Sequence, residues 1–242
     1  MANSYFRFKQ FTIEQEHCAM KVCTDACLFG SLLPTASGEG EAIKRLLDIG
    51  TGTGLLSLMY AQKNSNVFID AVEIDEAAAK QAKENFEASP WNRRLKVHHA
   101  SIQQFSESIH QQYDLIIANP PFFENDLRSN DSKRNIALHN DALQLENLLS
   151  VIQKLLTENG NFAVLLPYHR TGYFQQMATA KGFYLAEKIL VKQTPIHAYF
   201  RSMLFFSSLH VETRSSEIVI QNETREYTPG FASLLKDYYL YL

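Results

Sequence analysis

Short aliphatic or β-branched runs alternate along this chain with longer amphipathic segments, and this alternation is the feature that most restricts its fold. Strands and helices that alternate in sequence form βα units, in which the strands lie parallel in one sheet. The runs at Asp114–Ala118 and Phe162–Leu166 are apolar almost throughout, as is typical of central strands covered on both faces. We therefore predict an α/β fold with an open, mostly parallel sheet. Its seven predicted strands are Arg45–Ile49, Asn66–Glu73, Leu95–His99, Tyr113–Ala118, Asn161–Leu166, Phe183–Val191 and Ser202–Leu209.

The size and composition of the chain fit one globular domain. Its 242 residues are 45% hydrophobic and 20% charged, so it can bury a substantial core, and the disordered, collagen-like and disulfide-stapled classes are excluded. We expect residues 1–242 to form a single domain in which residues 1–35 are an N-terminal extension. Because the net charge is −3, no overall positive field attracts a polyanion, and a nucleic-acid partner must be held by a local patch.

The cysteines indicate a reducing compartment. Cys18, Cys23 and Cys27 are odd in number, and their spacing differs from that of a zinc knuckle. We predict reduced thiols packed beside a helix and no bound metal. No apolar run approaches the roughly 18 residues of a membrane span, and Arg7 and Lys9 interrupt the apolar core that a signal peptide would need. We expect a cytoplasmic protein with no membrane partner.

A glycine turn follows the first predicted strand, with Gly50, Gly52 and Gly54 at alternate positions. Glycines let the backbone turn sharply and approach a ligand closely. The last glycine of the dinucleotide fingerprint GxGxxG would fall at Leu55, so the binding of a pyrophosphate is poorly supported. Asp48, just before the turn, instead suits a cofactor that has an ammonium group and no phosphate, such as S-adenosylmethionine.

An acidic residue ends the second predicted strand. Glu73 lies 23 residues beyond Gly50, and a carboxylate at this strand end can accept hydrogen bonds from both hydroxyls of a ribose. Taken singly, Glu73 could be an exposed acid and the glycines a structural turn. Their order along the chain favours a nucleoside-containing cofactor.

A second motif, Asn119-Pro120-Pro121-Phe122-Phe123, follows the fourth predicted strand. Pro120 restricts Asn119 to an extended conformation, so the strand tip is a rigid acceptor site followed by aromatic rings. The Asn119 side-chain oxygen and the Pro120 carbonyl can each accept one N–H of an exocyclic amine, which directs the nitrogen lone pair at a sulfonium methyl group without a strong base. Phe122 would then stack on a flat base. The alternative is a proline turn that ends a strand, with both phenylalanines in the core.

With these motifs the chain resembles class I S-adenosylmethionine-dependent methyltransferases over about residues 20–210. Asn119–Phe122 is similar to a motif of the amino-methyltransferases, which alkylate adenine N6, cytosine N4, guanine N2 or glutamine N5. Phe8–Phe11, Met20–Val22 and Thr24–Ala26 more closely resemble the bacterial tRNA(Val) adenine-N6 methyltransferase family. The resemblance implies a Rossmann-like fold, S-adenosylmethionine as cofactor, and the adenosine beside the anticodon of tRNA(Val) as substrate.

The resemblance also implies roles for residues outside the two motifs. Lys21, Thr24 and Asp25 belong to a family segment that closes over the cofactor, so they are expected near its methionine end. Many members of the superfamily hold the cofactor's adenine amine with an aspartate after the third strand. Ser101 occupies that position here, and its hydroxyl can accept the same bond with less charge assistance. The expected cofactor contacts are Lys21, Thr24, Asp25, Asp48, Gly50, Gly52, Gly54, Glu73, Ser101 and Asn119.

RNA contacts are expected beside the Asn-Pro-Pro-Phe motif. The candidate substrate-binding residues are Phe122, Phe123, Arg128, Lys133 and Arg134. The polar segment Glu124–Asn135 carries as many acidic residues as cations, so a solvated loop is an equal alternative. Tyr5–Phe11 carries two cations and no acid, and either contacts RNA or packs on the core. The apolar tail of Glu217–Leu242 either packs on the sheet or binds a partner.

The sequence thus predicts a monomeric enzyme that methylates N6 of an adenine flipped out of a tRNA. Methylation of guanine N2 in rRNA, or of a glutamine amide in a protein, is the alternative with the same chemistry. A non-catalytic RNA-binding module on the same scaffold is the alternative from another class, although an intact glycine turn and a ribose carboxylate count against it.

Overall fold

The computed structural model describes residues 3–18, 20–35, 42–120 and 145–242. The strands are β1 (Tyr5–Arg7), β2 (Thr12–Glu14), β3 (Arg45–Ile49), β4 (Phe68–Glu73), β5 (Leu95–His99), β6 (Tyr113–Ala118), β7 (Leu156–Pro167), β8 (Tyr184–Lys192), β9 (Tyr199–Ser207) and β10 (Arg214–Val219). The helices are α1 (Thr24–Leu32), α2 (Leu55–Lys63), α3 (Glu76–Glu87), α4 (Ile102–Ser108), α5 (residues 145–155), α6 (Thr171–Ala180) and α7 (Pro229–Leu235).

The main sheet has eight strands in the order β10-β8-β9-β7-β6-β3-β4-β5. From β7 to β5 all neighbours are parallel, whereas β9 runs antiparallel between β7 and β8. The predicted α/β class and mostly parallel sheet are confirmed, and all seven predicted strands are present. The eighth strand, β10, escapes prediction because it pairs only at the sheet edge and its residues are exposed or half-buried, so it has no apolar alternation.

Each face of the sheet carries its own apolar layer. On one face, α1, α2 and α7 pack through residues that include Leu28, Met59 and Phe231. On the other face, α5 and α6 pack through residues that include Ile152 and Phe174. Because both faces are covered, the ends of the strands are the places where side chains from several strands can meet a ligand.

The N-terminal segment belongs to this packing. Phe8 and Phe11 are buried, with ring centroids 4.5 Å apart, so these two rings pack on the core, whereas Tyr5, Arg7 and Lys9 are exposed and contact between them and RNA stays a prediction. The C-terminal tail packs nearby, since Tyr238 is buried and its hydroxyl donates to the carbonyl of Met59 over 3.2 Å. The tail therefore packs on the core through Tyr238, whereas Tyr241 is exposed and the binding of a partner there stays a prediction.

The three cysteines are free thiols, as predicted. Cys27 lies within α1, and burial raises its pKa to about 12. Across the ranges that the structure describes, no three His, Cys, Asp or Glu side chains gather in a way that could hold a metal ion. None of the described helices has the length and apolar character needed to cross a membrane.

Candidate active site at the carboxyl edge of the sheet

Neighbouring strands end in register at one edge of the sheet, and this register brings the predicted motifs together. Ile49 in β3 lies level with Val72 in β4 and with Ala118 in β6. The residues that follow these three are the first glycine of the turn, the strand-end acid and Asn119. They leave the sheet side by side, about 5 Å apart between adjacent strands.

The three glycines of the turn serve two different purposes. All three have positive φ angles, +71° at Gly50, +56° at Gly52 and +83° at Gly54, which strain any residue with a side chain. A Cβ atom at Gly50 or Gly52 would meet no atom within 4 Å, whereas one at Gly54 would lie 2.5 Å from the ring of Phe86. Gly50 and Gly52 thus keep a space open above the turn, while Gly54 allows α2 to begin against α3.

Asp48 lies beneath the turn with one carboxylate oxygen unused. Its Oδ2 accepts hydrogen bonds from the hydroxyls of Thr51, over 2.6 Å, and Ser57, over 2.7 Å. Its Oδ1 is buried and has no hydrogen-bond partner in the described part of the chain. Burial, and to a lesser degree the charge of Glu73, raises the pKa of Asp48 to about 6. A buried acceptor without a donor is rare in proteins, and a ligand with an N–H group would satisfy it.

Glu73 ties the glycine turn to the turn that follows β4. Its Oε2 accepts the N–H of Gly52 over 2.9 Å, and its Oε1 accepts the N–H groups of Ile74 and Asp75 over 2.8 and 3.0 Å. Three backbone donors therefore hold the carboxylate in one orientation. Its fixed oxygens lie at the wall of a cleft, where a ribose could reach them.

A cleft of about 430 Å³ opens above these strand ends. Four of the predicted cofactor residues line it, namely Gly50, Gly52, Glu73 and Ser101. Sequence reasoning missed its apolar lining, which includes Cys18, Met20, Ile74, Ile102 and Leu148. Ile74 and Ile102 directly follow predicted site residues, so extending each motif by one position would have found them. Met20 directly precedes the predicted residue Lys21 and belongs to the Met20–Val22 motif, so the same extension finds it, whereas none of the motifs contains Cys18 or Leu148.

Ser101 has a structural role in addition to its place in the cleft. It is the N-cap of α4, where its hydroxyl accepts the N–H of Gln104 over 3.2 Å and donates to the Gln104 side-chain oxygen over 3.0 Å. A cofactor contact through this oxygen would have to share it with the helix cap.

The N-terminal residues expected near the cofactor are held by contacts of their own. Lys21 donates from Nζ to the carbonyls of Gln15 and Glu16. Thr24 is the first residue of α1. Asp25, the next residue, accepts a hydrogen bond from Arg201, which the sequence did not mark as a site residue. The contact with Arg201 fixes the start of α1, and the roles of Lys21, Thr24 and Asp25 in cofactor binding stay predictions.

Asn119 and Pro120 are half-buried directly after β6. The other predicted catalytic and RNA-binding residues lie outside the described residues, and their roles stay predictions. They are Phe122, Phe123, Arg128, Lys133 and Arg134.

The observed groups fit S-adenosylmethionine. The unpartnered Oδ1 of Asp48, which is buried and does not line the cleft, has the charge to attract its ammonium group. The fixed carboxylate of Glu73, which does line the cleft, suits its ribose hydroxyls. The space above Gly50 and Gly52 admits a ligand close to the backbone. Apolar residues of the cleft can cover a flat adenine ring. Nothing in this arrangement requires a phosphate.

Comparison with known proteins also indicates a methyltransferase. The family model of the methyltransferase small domain matches residues 27–185. The chain is 42% identical over 242 residues to the tRNA1(Val) (adenine(37)-N6)-methyltransferase of Dyadobacter fermentans, with 98% of each chain covered. It is 41% identical over 242 residues to the protein of the same name from Trichodesmium erythraeum, with 99% of each chain covered.

A solved structure shares the fold. The chain superposes on a predicted O-methyltransferase of Agrobacterium tumefaciens with a TM-score of 0.68 at 15% identity, over 88% of this chain and 96% of that one. This likeness concerns the fold alone, whereas the relatives at about 40% identity span nearly the whole chain. The predicted resemblance is confirmed, and S-adenosylmethionine is the methyl donor that it implies. The chain belongs to the family of the tRNA1(Val) (adenine(37)-N6)-methyltransferases.

Proposed function

We propose that this chain methylates N6 of adenine 37 in tRNA1(Val), the reaction for which its relatives are named. The observation that supports this most directly is the strand register, which puts Asn119 beside Gly50. An acceptor site for an exocyclic amine thereby adjoins the turn above which the cofactor cleft opens. A flat base that is flipped out of the RNA would present its amine there.

In this proposal, Asn119 and Pro120 orient the amine. The Asn119 side-chain oxygen and the Pro120 carbonyl each accept one N–H, which weakens the conjugation of the nitrogen lone pair with the ring and aims it toward the cleft. Both residues are half-buried, so water competes less for these bonds. Positioning and electrostatics then supply the rate. The alkylated nitrogen is acidic and releases its proton to solvent, so no side chain has to act as a strong base.

The cofactor site in this proposal combines the cleft with the start of α1. S-adenosylmethionine, when bound, supplies an electrophilic methyl group on its sulfonium. Glu73 accepts hydrogen bonds from the ribose hydroxyls, Asp48 faces the ammonium group, and Ser101 lies at the adenine. Lys21, Thr24 and Asp25 are proposed at the methionine end, because the segment that carries them resembles the family segment at that position.

Residues 1–35 are proposed to be an extension of the same domain. Phe8 and Ile13 share a core cluster with Leu28 and Met59, so the segment has no separate core among the described residues. Stacking by Phe122 and Phe123, and phosphate contacts from Arg128, Lys133 and Arg134, complete the proposed RNA contacts. We expect the protein to act as a monomer in the bacterial cytoplasm, where its tRNA substrate is found.

The direct test is to incubate the protein with methyl-labelled S-adenosylmethionine and unmodified bacterial tRNA, digest the RNA and separate the nucleosides. We expect labelled N6-methyladenosine. A matched control is a tRNA1(Val) transcript with guanine in place of adenine 37, which should take up no label. The absence of N6-methyladenosine from a whole tRNA pool would exclude the proposed reaction.

The same experiment separates the alternatives. Label in N2-methylguanosine, or in a glutamine side chain of added protein, would favour the other amino acceptors. Titration with S-adenosylmethionine in a calorimeter tests the alternative of a non-catalytic RNA-binding module. A chain that only binds RNA would release no heat with this cofactor.

A further inference from the structure

An aromatic and charged cluster lies at the carboxyl edge of the sheet, outside the site described above. We call it the tyrosine platform, and it consists of Tyr168, Tyr199, Lys192 and Glu217. The rings of Tyr168 and Tyr199 lie 5.3 Å apart, and Nζ of Lys192 lies 4.5 Å from the centre of the Tyr199 ring. Tyr199 donates its hydroxyl hydrogen to Oε2 of Glu217 over 2.5 Å, and Lys192 lies 3.5 Å from the same oxygen.

The antiparallel direction of β9 puts the platform on the same edge as Asn119. Tyr199 is the first residue of β9, and it lies level with Lys192, the last residue of β8. Tyr168 directly follows β7, whose last residue, Pro167, pairs with β9. Two strand spacings, about 10 Å, separate β6 from β9, and because Ala118 is level with Val164, Tyr168 lies about 10 Å further along the strand direction than Asn119. Asn119 therefore lies between the cofactor cleft on one side and the platform on the other.

The platform has the chemistry of a surface that binds single-stranded RNA. Tyr168 is 42% exposed, and neither tyrosine belongs to the two buried core clusters of the sheet. Aromatic faces next to a cation are the combination on which unpaired bases stack while a phosphate is neutralised. Glu217 holds both the Tyr199 hydroxyl and the Lys192 ammonium, so this half of the surface is organised before a ligand arrives.

We propose that Tyr168 and Tyr199 stack on unpaired bases adjacent to the target adenine, with Lys192 beside the phosphates that join them. This inference rests on the proposed function, because the RNA is the substrate assigned there. It adds a substrate site on β7, β8 and β9, away from the Asn-Pro-Pro-Phe motif and from the polar segment that follows it. It also gives a slightly acidic chain a local surface for RNA.

Steady-state kinetics of Tyr168→Ala, Tyr199→Ala and the double variant test the proposal. Loss of one stacked base should raise the KM for tRNA by about tenfold or more. The kcat at saturating tRNA and the Kd for S-adenosylmethionine should change little, because Asn119 and the cleft are untouched. Tyr168→Phe keeps its ring and should keep a KM near that of the wild type. Tyr199→Phe keeps its ring but loses the hydrogen bond to Glu217, so its KM should rise less than that of Tyr199→Ala. Tyr168→Gln gives a second ring-free variant at an exposed position if Tyr199→Ala does not fold.

Tyr184→Ala is the matched control. Tyr184 is 41% exposed and is the first residue of β8, so it lies at the opposite edge of the sheet from Lys192. Its loss should leave the KM for tRNA unchanged. If the wild-type enzyme is active and the double variant without both rings has the same KM for tRNA, this inference is overturned while the proposed function stands. Equal increases in Tyr184→Ala and Tyr168→Ala would overturn it too, because the effect would then be unspecific. A wild-type enzyme that methylates no tRNA would instead refute the proposed function.

Discussion

Arg201 donates a hydrogen bond from Nε to Oδ2 of Asp25 over 2.7 Å. The two residues are 176 positions apart, and the pair joins the first turn of α1 to β9. The side chains are only 28% and 12% exposed, so water screens the pair weakly. Since Arg201 lies level with Pro167 at the end of β7, the ion pair attaches the start of α1 to the edge that carries the candidate active site.

Breaking this ion pair should cost both stability and cofactor affinity. Arg201→Met or Asp25→Asn leaves a partly buried group without its partner, and we expect the free energy of unfolding to fall by about 1–3 kcal/mol. The start of α1 should also loosen, which would weaken binding of S-adenosylmethionine. Urea unfolding and calorimetry of both single variants and the double variant measure these effects. If the losses of the two single variants simply add in the double variant, the pair is not coupled as proposed.

Asn119→Ala should remove turnover and spare the cofactor site. Loss of one acceptor for the amine lowers kcat by about 100-fold or more, as for other positioned polar groups that act in the transition state. The Kd for S-adenosylmethionine should stay nearly unchanged, because Asn119 is only one of the expected cofactor contacts and the variant keeps all the others. Single-turnover methyl transfer and calorimetry measure the two quantities, with Asn119→Asp as a control that keeps an oxygen acceptor and part of the activity. Unaltered turnover in the alanine variant would remove Asn119 from the mechanism.

The buried carboxyl of Asp48 should make cofactor affinity depend on pH. Its pKa is raised to about 6 by burial, and only the charged form attracts an ammonium group. Affinity for S-adenosylmethionine should therefore rise as the pH increases through about 6 and then level off. Calorimetry from about pH 5 to pH 8 should show this profile in the wild type. Asp48→Asn should bind more weakly with a flatter profile, and a variant profile as steep as the wild type would assign the titration to another group.

The same carboxyl should affect stability with the opposite dependence on pH. A carboxyl whose pKa rises from 3.8 to about 6 on folding binds more protons in the folded state between these values. Its stabilising contribution is present below about pH 4 and is lost as the pH rises through about 6. The difference in melting temperature between Asp48→Asn and the wild type should therefore shift in favour of the variant over this range. A difference that is constant with pH would contradict this assignment.

Substitutions at two glycines of the turn should have different effects, one mainly on cofactor binding and the other mainly on stability. Gly52→Ala strains the backbone by about 1–2 kcal/mol and puts a methyl group into the cleft, so it should weaken cofactor binding. Gly54→Ala carries a similar strain and also drives its Cβ to within 2.5 Å of Phe86, so it should reduce the free energy of unfolding more. Adding Phe86→Leu to Gly54→Ala should recover part of that loss. Denaturant unfolding measures the stability of these variants, and calorimetry measures their affinity for S-adenosylmethionine. A larger loss of stability in Gly52→Ala than in Gly54→Ala would contradict the assigned roles.

Residues at strand ends could be predicted from sequence, because each signal is local. Gly50, Glu73 and Asn119 each lie within one residue of a strand end, and parallel pairing of those strands is enough to bring them together. Arg201 could not be found in this way, since its partner is distant in sequence and no nearby residue marks it. The place of Tyr199 beside Lys192 and Glu217 could not be predicted either, because it depends on the antiparallel direction of β9 and on the strand β10 that carries Glu217.

The direction of β9 has a consequence for how proteins of this kind diversify. The residues proposed to bind the methyl donor lie at the ends of β3, β4 and β5, while the start of β9 and the ends of β7 and β8 carry the tyrosine platform on the far side of Asn119. Substitutions of Tyr168, Tyr199 or Lys192 change that second half while they leave the ends of β3, β4 and β5 and the Arg201–Asp25 ion pair in place. Under the proposed roles, a change of RNA substrate needs substitutions at only a few strand ends of that second half, and the proposed methyl-transfer residues stay the same.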